Sequence, residues 1–106
     1  MRLLLDESVP TRLRRSLTSH SVKTVVEMGW SGVKNGALLA LAAGEFDAFL
    51  TVDKNLPYQQ NLATLPIALI VLEANSNELV ALLPLVPRLE QALGSLKPCT
   101  FVRIPD

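Results

Sequence analysis

Leu3-Leu4-Leu5-Asp6-Glu7-Ser8-Val9-Pro10 is the stretch on which the reading of the fold turns. Three consecutive leucines form a short, unbroken apolar run, the pattern of a strand covered on both faces; a strand with one wet face would alternate apolar and polar residues. The run stops at Asp6-Glu7. Ser8 then stands where a helix cap is expected, with Pro10 in the tolerant first turn of the helix that follows. Val9, Leu13 and Leu17 recur every four residues and supply an inner stripe, while Arg12, Arg14 and Arg15 lie off it, toward solvent or a partner.

The same alternation continues outward from this start. Val22 to Val26, rich in β-branched residues, reads as a second strand, and Gly29-Trp30-Ser31-Gly32 as the loop leaving it. Asn35 is placed to cap a short helix through Ala37–Ala43 that Gly44 ends. Ala48-Phe49-Leu50-Thr51-Val52 is a third strand closing at Asp53, and Pro57 opens a brief helix through Asn61. Ile67–Leu72 is the most apolar strand and ends on Glu73. Asn77 is placed to cap a helical region from Glu78 to Leu93, which Pro84 and Pro87 must kink or split because each lacks an amide hydrogen. Cys99–Ile104 is a last strand, at an edge. The expected fold is therefore α/β: one domain over residues 1–106, a mainly parallel sheet of about five strands, and helices on both faces.

Composition bounds the function. The chain has 106 residues, ten Lys+Arg against ten Asp+Glu, one His and one Cys, and is 49% hydrophobic. A chain of this length needs neither disulfide nor structural metal to hold a core, and a lone cysteine excludes a disulfide framework and a cysteine-based zinc site. The early acids exclude a signal peptide, and no run approaches the ~20 apolar residues of a membrane span, so no membrane partner and a cytoplasmic, reducing setting are expected. The zero net charge argues against broad electrostatic coating of nucleic acid, yet it is unevenly distributed. Residues 1–34 carry Arg2, Arg12, Arg14, Arg15, Lys23 and Lys34 against Asp6, Glu7 and Glu27, whereas residues 35–96 carry Lys54 and Arg88 against six acids.

Ligands of open parallel sheets collect at the carboxyl ends of the strands. Three predicted strands end there on acids: Asp6-Glu7, Asp53 and Glu73. With the first and third strands side by side, Asp6 and Asp53 would project within a few ångströms of each other, and a divalent cation would relieve their repulsion. Beside that stands the plainer reading, in which each Asp is a turn or cap former and Glu73 a solvated strand end. Other chemistries lack their parts. No Gly-rich phosphate loop is followed by Lys; His20 between Ser19 and Ser21 reads as a surface residue; Cys99 reads as buried and inert; Trp30 reads as a packing anchor or loop lid. Tyr58, Gln59 and Gln60 are either a base or phosphate contact or an ordinary helix surface.

Taken together, Arg2–Pro10 with its Arg-rich helix, Glu27-Met28-Gly29-Trp30, Asn35 opening a helix, and Phe46–Asn55 with Thr51-Val52-Asp53 resemble the small PIN-like nucleases of bacteria and archaea. The resemblance covers residues 2 to about 72. It implies a compact PIN-like domain related to the toxin ribonucleases of toxin-antitoxin pairs, whose acids bind magnesium or manganese to cleave RNA. Asp6 and Asp53 match the family's two core acids and would be the catalytic metal ligands. The family usually has an acid where Asn35 stands and another where Asn55 stands, so the resemblance implies one weakly held metal ion. Asn35, Asn55 or Gln59 would then position substrate, Glu7 would support the acidic pair, and Lys54, Arg12 and Arg15 would meet phosphates. A small antitoxin-like protein is the protein partner it implies, and a second copy of the chain is a further expected partner through the apolar segment Leu79–Leu93.

Two other readings compete. In the first, a PIN-like fold with two amides in its acidic cluster is a catalytically weakened module that holds RNA or a partner protein without cutting, for which the apolar segment Leu79–Leu93 would offer a surface if it is not core. A receiver-like phosphoacceptor would use Asp6-Glu7, Asp53, Pro57 and Lys97-Pro98, although no Ser or Thr follows the strand ending at Leu72-Glu73.

Overall fold

The computed structural model describes Met1–Asp106. Five parallel strands form one sheet in the order β2-β1-β3-β4-β5: β1 Arg2–Leu5, β2 Ser21–Thr24, β3 Ala48–Thr51, β4 Ala68–Glu73 and β5 Phe101–Pro105. The continuous apolar runs are the central strands, as their composition demands. Every residue of β3 is buried, as are Leu3–Leu5 of β1 and Ala68–Leu72 of β4. The two edge strands are wetter, with Lys23 exposed on β2 and Pro105 ending β5, features that discourage a further strand from adding.

Alternation along the strands sorts side chains onto two faces. On one, Leu3, Leu5, Leu50, Ile70 and Leu72 pack with Val9, Leu13 and Leu17 from the first connection and with Leu82, Leu85, Leu89 and Leu93 from the last. On the other, Leu4, Phe49 and Leu69 pack under Leu38, Leu39 and Ala42 of helix α1, Asn35–Ala43. The sheet is thus covered on both sides and the fold is the expected α/β domain. Trp30 is an anchor of the second layer: its ring meets that of Phe46 edge-on at 6.2 Å and 83°. Gly29 (φ 76°) and Gly32 (φ 84°) bracket it in left-handed conformations that a side chain would strain.

Several local expectations are corrected. The first connection is a 3-10 helix, Thr11–Ser16, flanked by Pro10; Ser8 lies outside it and caps nothing. Asn35 is the first residue of α1 rather than its cap, and the flanking position belongs to Lys34. The region from Glu78 onward begins without Asn77 and is split as the prolines require, into α2 Leu79–Leu82, a 3-10 turn Leu83–Leu85 and α3 Val86–Gly94. Its buried leucines make segment 79–93 mainly core, with Val80 and Leu83 left exposed. Cys99 is exposed, not buried, and sits in the left-handed region at φ 59° in the turn before β5. His20 is not a plain surface residue. Its Nε2 is 2.6 Å from Glu90 Oε1 of α3, its side chain is 14% exposed, and Nδ1 is buried without a partner. No helix is long and apolar enough to cross a membrane.

Candidate functional site

The strand order turns back on itself between β1 and β3: the chain proceeds from β1 to one side for β2, then crosses to the other side for β3. In doubly wound folds a switch point of this kind, at the carboxyl edge, is where the ligand is placed. The register fixes what stands there. Leu5 pairs with Leu50, so the next residues, Asp6 and Thr51, are neighbours on adjacent strands and point to the same face; the bond from Asp6 N to Leu50 O at 2.9 Å continues the ladder past the last pair.

Asp6 is consequently held by hydroxyls. Thr51 Oγ1 donates to Asp6 Oδ2 at 2.8 Å and Ser8 Oγ donates to the same oxygen at 2.6 Å. With both protons so engaged, the 3.3 Å approach of Ser8 Oγ to Thr51 Oγ1 is a contact between two oxygens sharing an acceptor. Each hydroxyl also accepts from the strand end: Thr51 Oγ1 from Asp53 N at 3.0 Å and Ser8 Oγ from Val52 N at 3.4 Å. Thr51 is fully buried, so this network satisfies a hydroxyl that would otherwise be orphaned in the core. Asp6 Oδ1 accepts no hydrogen bond from the chain. The result is a half-buried carboxylate with one oxygen pinned and the other free to meet a ligand.

The two acids stand differently on the edge. The neighbour of Asp6 in the sheet is Thr51; Asp53 lies two residues past the pairing, and its backbone amide shares the Thr51 hydroxyl with the Asp6 carboxylate. Asp53 also makes the turn its sequence suggested, its Oδ1 accepting from Asn55 N at 2.9 Å, so the cap-like and site-like readings of this residue coexist. No three His, Cys, Asp or Glu side chains come together as a metal-holding group. Glu7, Lys54, Asn55 and Gln59 are exposed around this edge, and none of them bonds to either aspartate through its side chain. Because α1 returns antiparallel to the strands, Asn35 in its first turn lies on the same edge. Gln60, rather than Gln59, reaches that turn: its Oε1 is 4.0 Å from where a Cβ on Gly36 would stand.

Spacing along the chain does not single out Ser8 and Thr51 as site residues. Thr51 does carry a signal, being a polar residue in a run otherwise wholly apolar, where a buried hydroxyl needs a partner. The third acid, Glu73, is not simply solvated: it ends β4 with Arg103 Nε of β5 3.9 Å from its Oε2. Arg12 and Arg15 are exposed on the 3-10 helix, whereas Arg14 is bound to Glu27 at 2.7 Å. That arginine, with the Thr24 amide, holds the Glu27 carboxyl below its ordinary pKa.

The receiver-like layout loses one of its parts. In an all-parallel sheet a residue that precedes a strand lies at the amino edge, and Lys97 precedes β5. It lines a cleft of about 440 Å³ with Arg2, Asp47 and Cys99, at the opposite end of the sheet from Asp6 and Asp53. The strand order itself is one that doubly wound phosphoacceptor domains share.

No family model, characterised relative or solved structure matches this chain.

Proposed function

We propose that this protein is a PIN-like, metal-dependent ribonuclease acting on single-stranded RNA with one weakly held magnesium or manganese ion. The observation that carries the reading is the Asp6 carboxylate at the β1/β3 switch point, with Oδ2 pinned by Ser8 and Thr51 and Oδ1 free. The donors suit the ion: magnesium keeps several waters and takes only one or two protein carboxylates, which Asp6 and Asp53 would supply, with the amide oxygens of Asn35 and Asn55 as neutral ligands or water partners. When bound, the ion would lower the pKa of a water and polarise a phosphate oxygen. The rest falls to the chain. Ser8 and Thr51 keep Asp6 from rotating; Lys54, Arg12 and Arg15, exposed and free of ion pairs, are available to phosphates; Glu7 and Gln59 border the approach. Residence in the cytoplasm, a small antitoxin-like protein partner and a homodimer belong to the same proposal, with exposed Val80 and Leu83 as the apolar surface offered to a partner.

A second reading, a non-cutting module that holds RNA or protein, draws on the amides at Asn35 and Asn55 and on an acidic group of only two members. Cleavage and calorimetry separate the two. The nuclease reading expects single-stranded RNA to be cut in millimolar magnesium or manganese, and cutting to vanish on chelation and in folded Asp6→Asn and Asp53→Asn variants. Activity that survives chelation, or survives both substitutions, refutes it. An intact protein that shows neither binding heat nor a stability change in millimolar metal, and does not cut, favours the binding module over the nuclease.

A further inference from the structure

The surface continues past the carboxylates. Asp6, Thr51, Glu73 and Arg103 share one face of the sheet, because they alternate in step with Leu4, Phe49, Leu69 and Phe101, which pack in one layer. Over the far side of that face lies Tyr58, in the 3-10 helix Leu56–Gln59 that begins three residues after Asp53. Its side chain is unusual for a residue packed onto a domain: Tyr58 is 73% exposed, yet its hydroxyl is tethered, accepting from Arg103 Nη2 at 2.8 Å. Arg103 is itself held, its guanidinium 5.5 Å from the Phe101 ring centre and its Nε 3.9 Å from Glu73.

An aromatic ring left in water but fixed at its tip contributes little to the core. It is a flat apolar surface, ordered in advance, at about three strand spacings of ~4.8 Å from Asp6. That combination is what an unpaired base requires, since bases of single-stranded RNA stack on aromatic rings and an ordered ring loses little freedom on binding. The neighbouring Lys54 is exposed and unpaired, so a strand whose base sits on Tyr58 meets positive charge on its way to Asp53.

We propose that Tyr58, positioned by Arg103, is a stacking subsite for an unpaired base of the RNA. The proposal rests on the ribonuclease reading for its ligand and adds that recognition extends to bases, not phosphates alone. It is tested with hexauridylate and with a hexamer of the same backbone bearing no bases, both measured in EDTA by anisotropy. Wild type is expected to prefer the base-bearing oligomer, and Tyr58→Ala to lower its affinity by about tenfold while leaving the base-free oligomer unchanged. Tyr58→Phe keeps the ring and should retain most of the affinity. Cleavage by the same proteins in magnesium distinguishes the two failures. Cutting by wild type with unchanged affinity in Tyr58→Ala overturns the subsite and leaves the nuclease standing. Tyr58-dependent binding without cutting supports the subsite and removes the nuclease, and neither binding nor cutting overturns both.

Discussion

Replacing Thr51 by valine tests the construction of the site most directly. The two side chains have nearly the same shape, so the change removes a hydroxyl from a fully buried position without opening a cavity. Two hydrogen bonds go with it: the 2.8 Å bond to Asp6 Oδ2 and the 3.0 Å bond from Asp53 N. A bond to a charged acceptor is worth about 1.5–3 kcal/mol and a neutral one about 1, while burying a methyl instead of a hydroxyl returns about 1 kcal/mol. The expected net loss is about 2 kcal/mol, or a fall in Tm on the order of 10 °C for a domain of this size. Thr51→Ser is the informative companion, since it keeps both bonds and loses one methyl, at a cost of about 1 kcal/mol. Urea denaturation of the three proteins gives the order. If serine costs more than valine, or valine costs less than ~0.5 kcal/mol, Thr51 is a packing residue and the account of a pinned Asp6 is wrong. Under the proposed function, metal affinity should fall in the same order, valine below serine, because an Asp6 held only by Ser8 is less preorganised.

Other outcomes follow from the same structure. Phe49→Ala, at a fully buried position of β3, should cost about 3–5 kcal/mol and leave a protein with a much lower urea midpoint. Asp47 accepts the Arg2 amide at 2.7 Å and its guanidinium at 3.4 Å, and the amide above all holds its carboxyl below the ordinary value. A depressed folded pKa stabilises above the unfolded value near ~4 and is lost as pH falls through the folded one, so Asp47→Asn should flatten the acid limb of the stability profile below about pH 4. An unchanged limb in the Asp47→Asn protein would show that this carboxylate contributes nothing to it. Cys99 should react stoichiometrically with a thiol reagent in the native state, and Cys99→Gly should gain up to ~1 kcal/mol by relieving the left-handed backbone; slow labelling only on unfolding would refute the exposed turn.

What was legible in the chain was whatever depends on near neighbours. Leu3–Leu5, Ala48–Thr51 and Ala68–Leu72 are nearly unbroken apolar runs, and a run of that kind is stable only as a strand covered on both faces. The four-residue recurrence of Val9, Leu13 and Leu17 likewise decides which side of that segment is inside, and Pro84 and Pro87 must break a helix wherever it packs. Parallel strands ending on acids already brought Asp6 and Asp53 to one edge.

The remainder depended on register and on contacts between distant segments. Nothing local makes Leu5 face Leu50, and a slip of one residue would have turned Asp6 away from Thr51 altogether. The partner of His20 is seventy residues away in α3, and that of Tyr58 lies forty-five residues on, in β5. By itself the sequence determined a doubly covered parallel sheet with acids at its carboxyl edge, because burial and chain stiffness act over a few residues. Only the tertiary structure decided that Ser8 and Thr51 hold Asp6, that the Asp53 amide shares the Thr51 hydroxyl with it, and that an exposed tyrosine is fastened to Arg103. Those are hydrogen bonds, and their partners are chosen by distances of about 3 Å that exist only after the strands have come together.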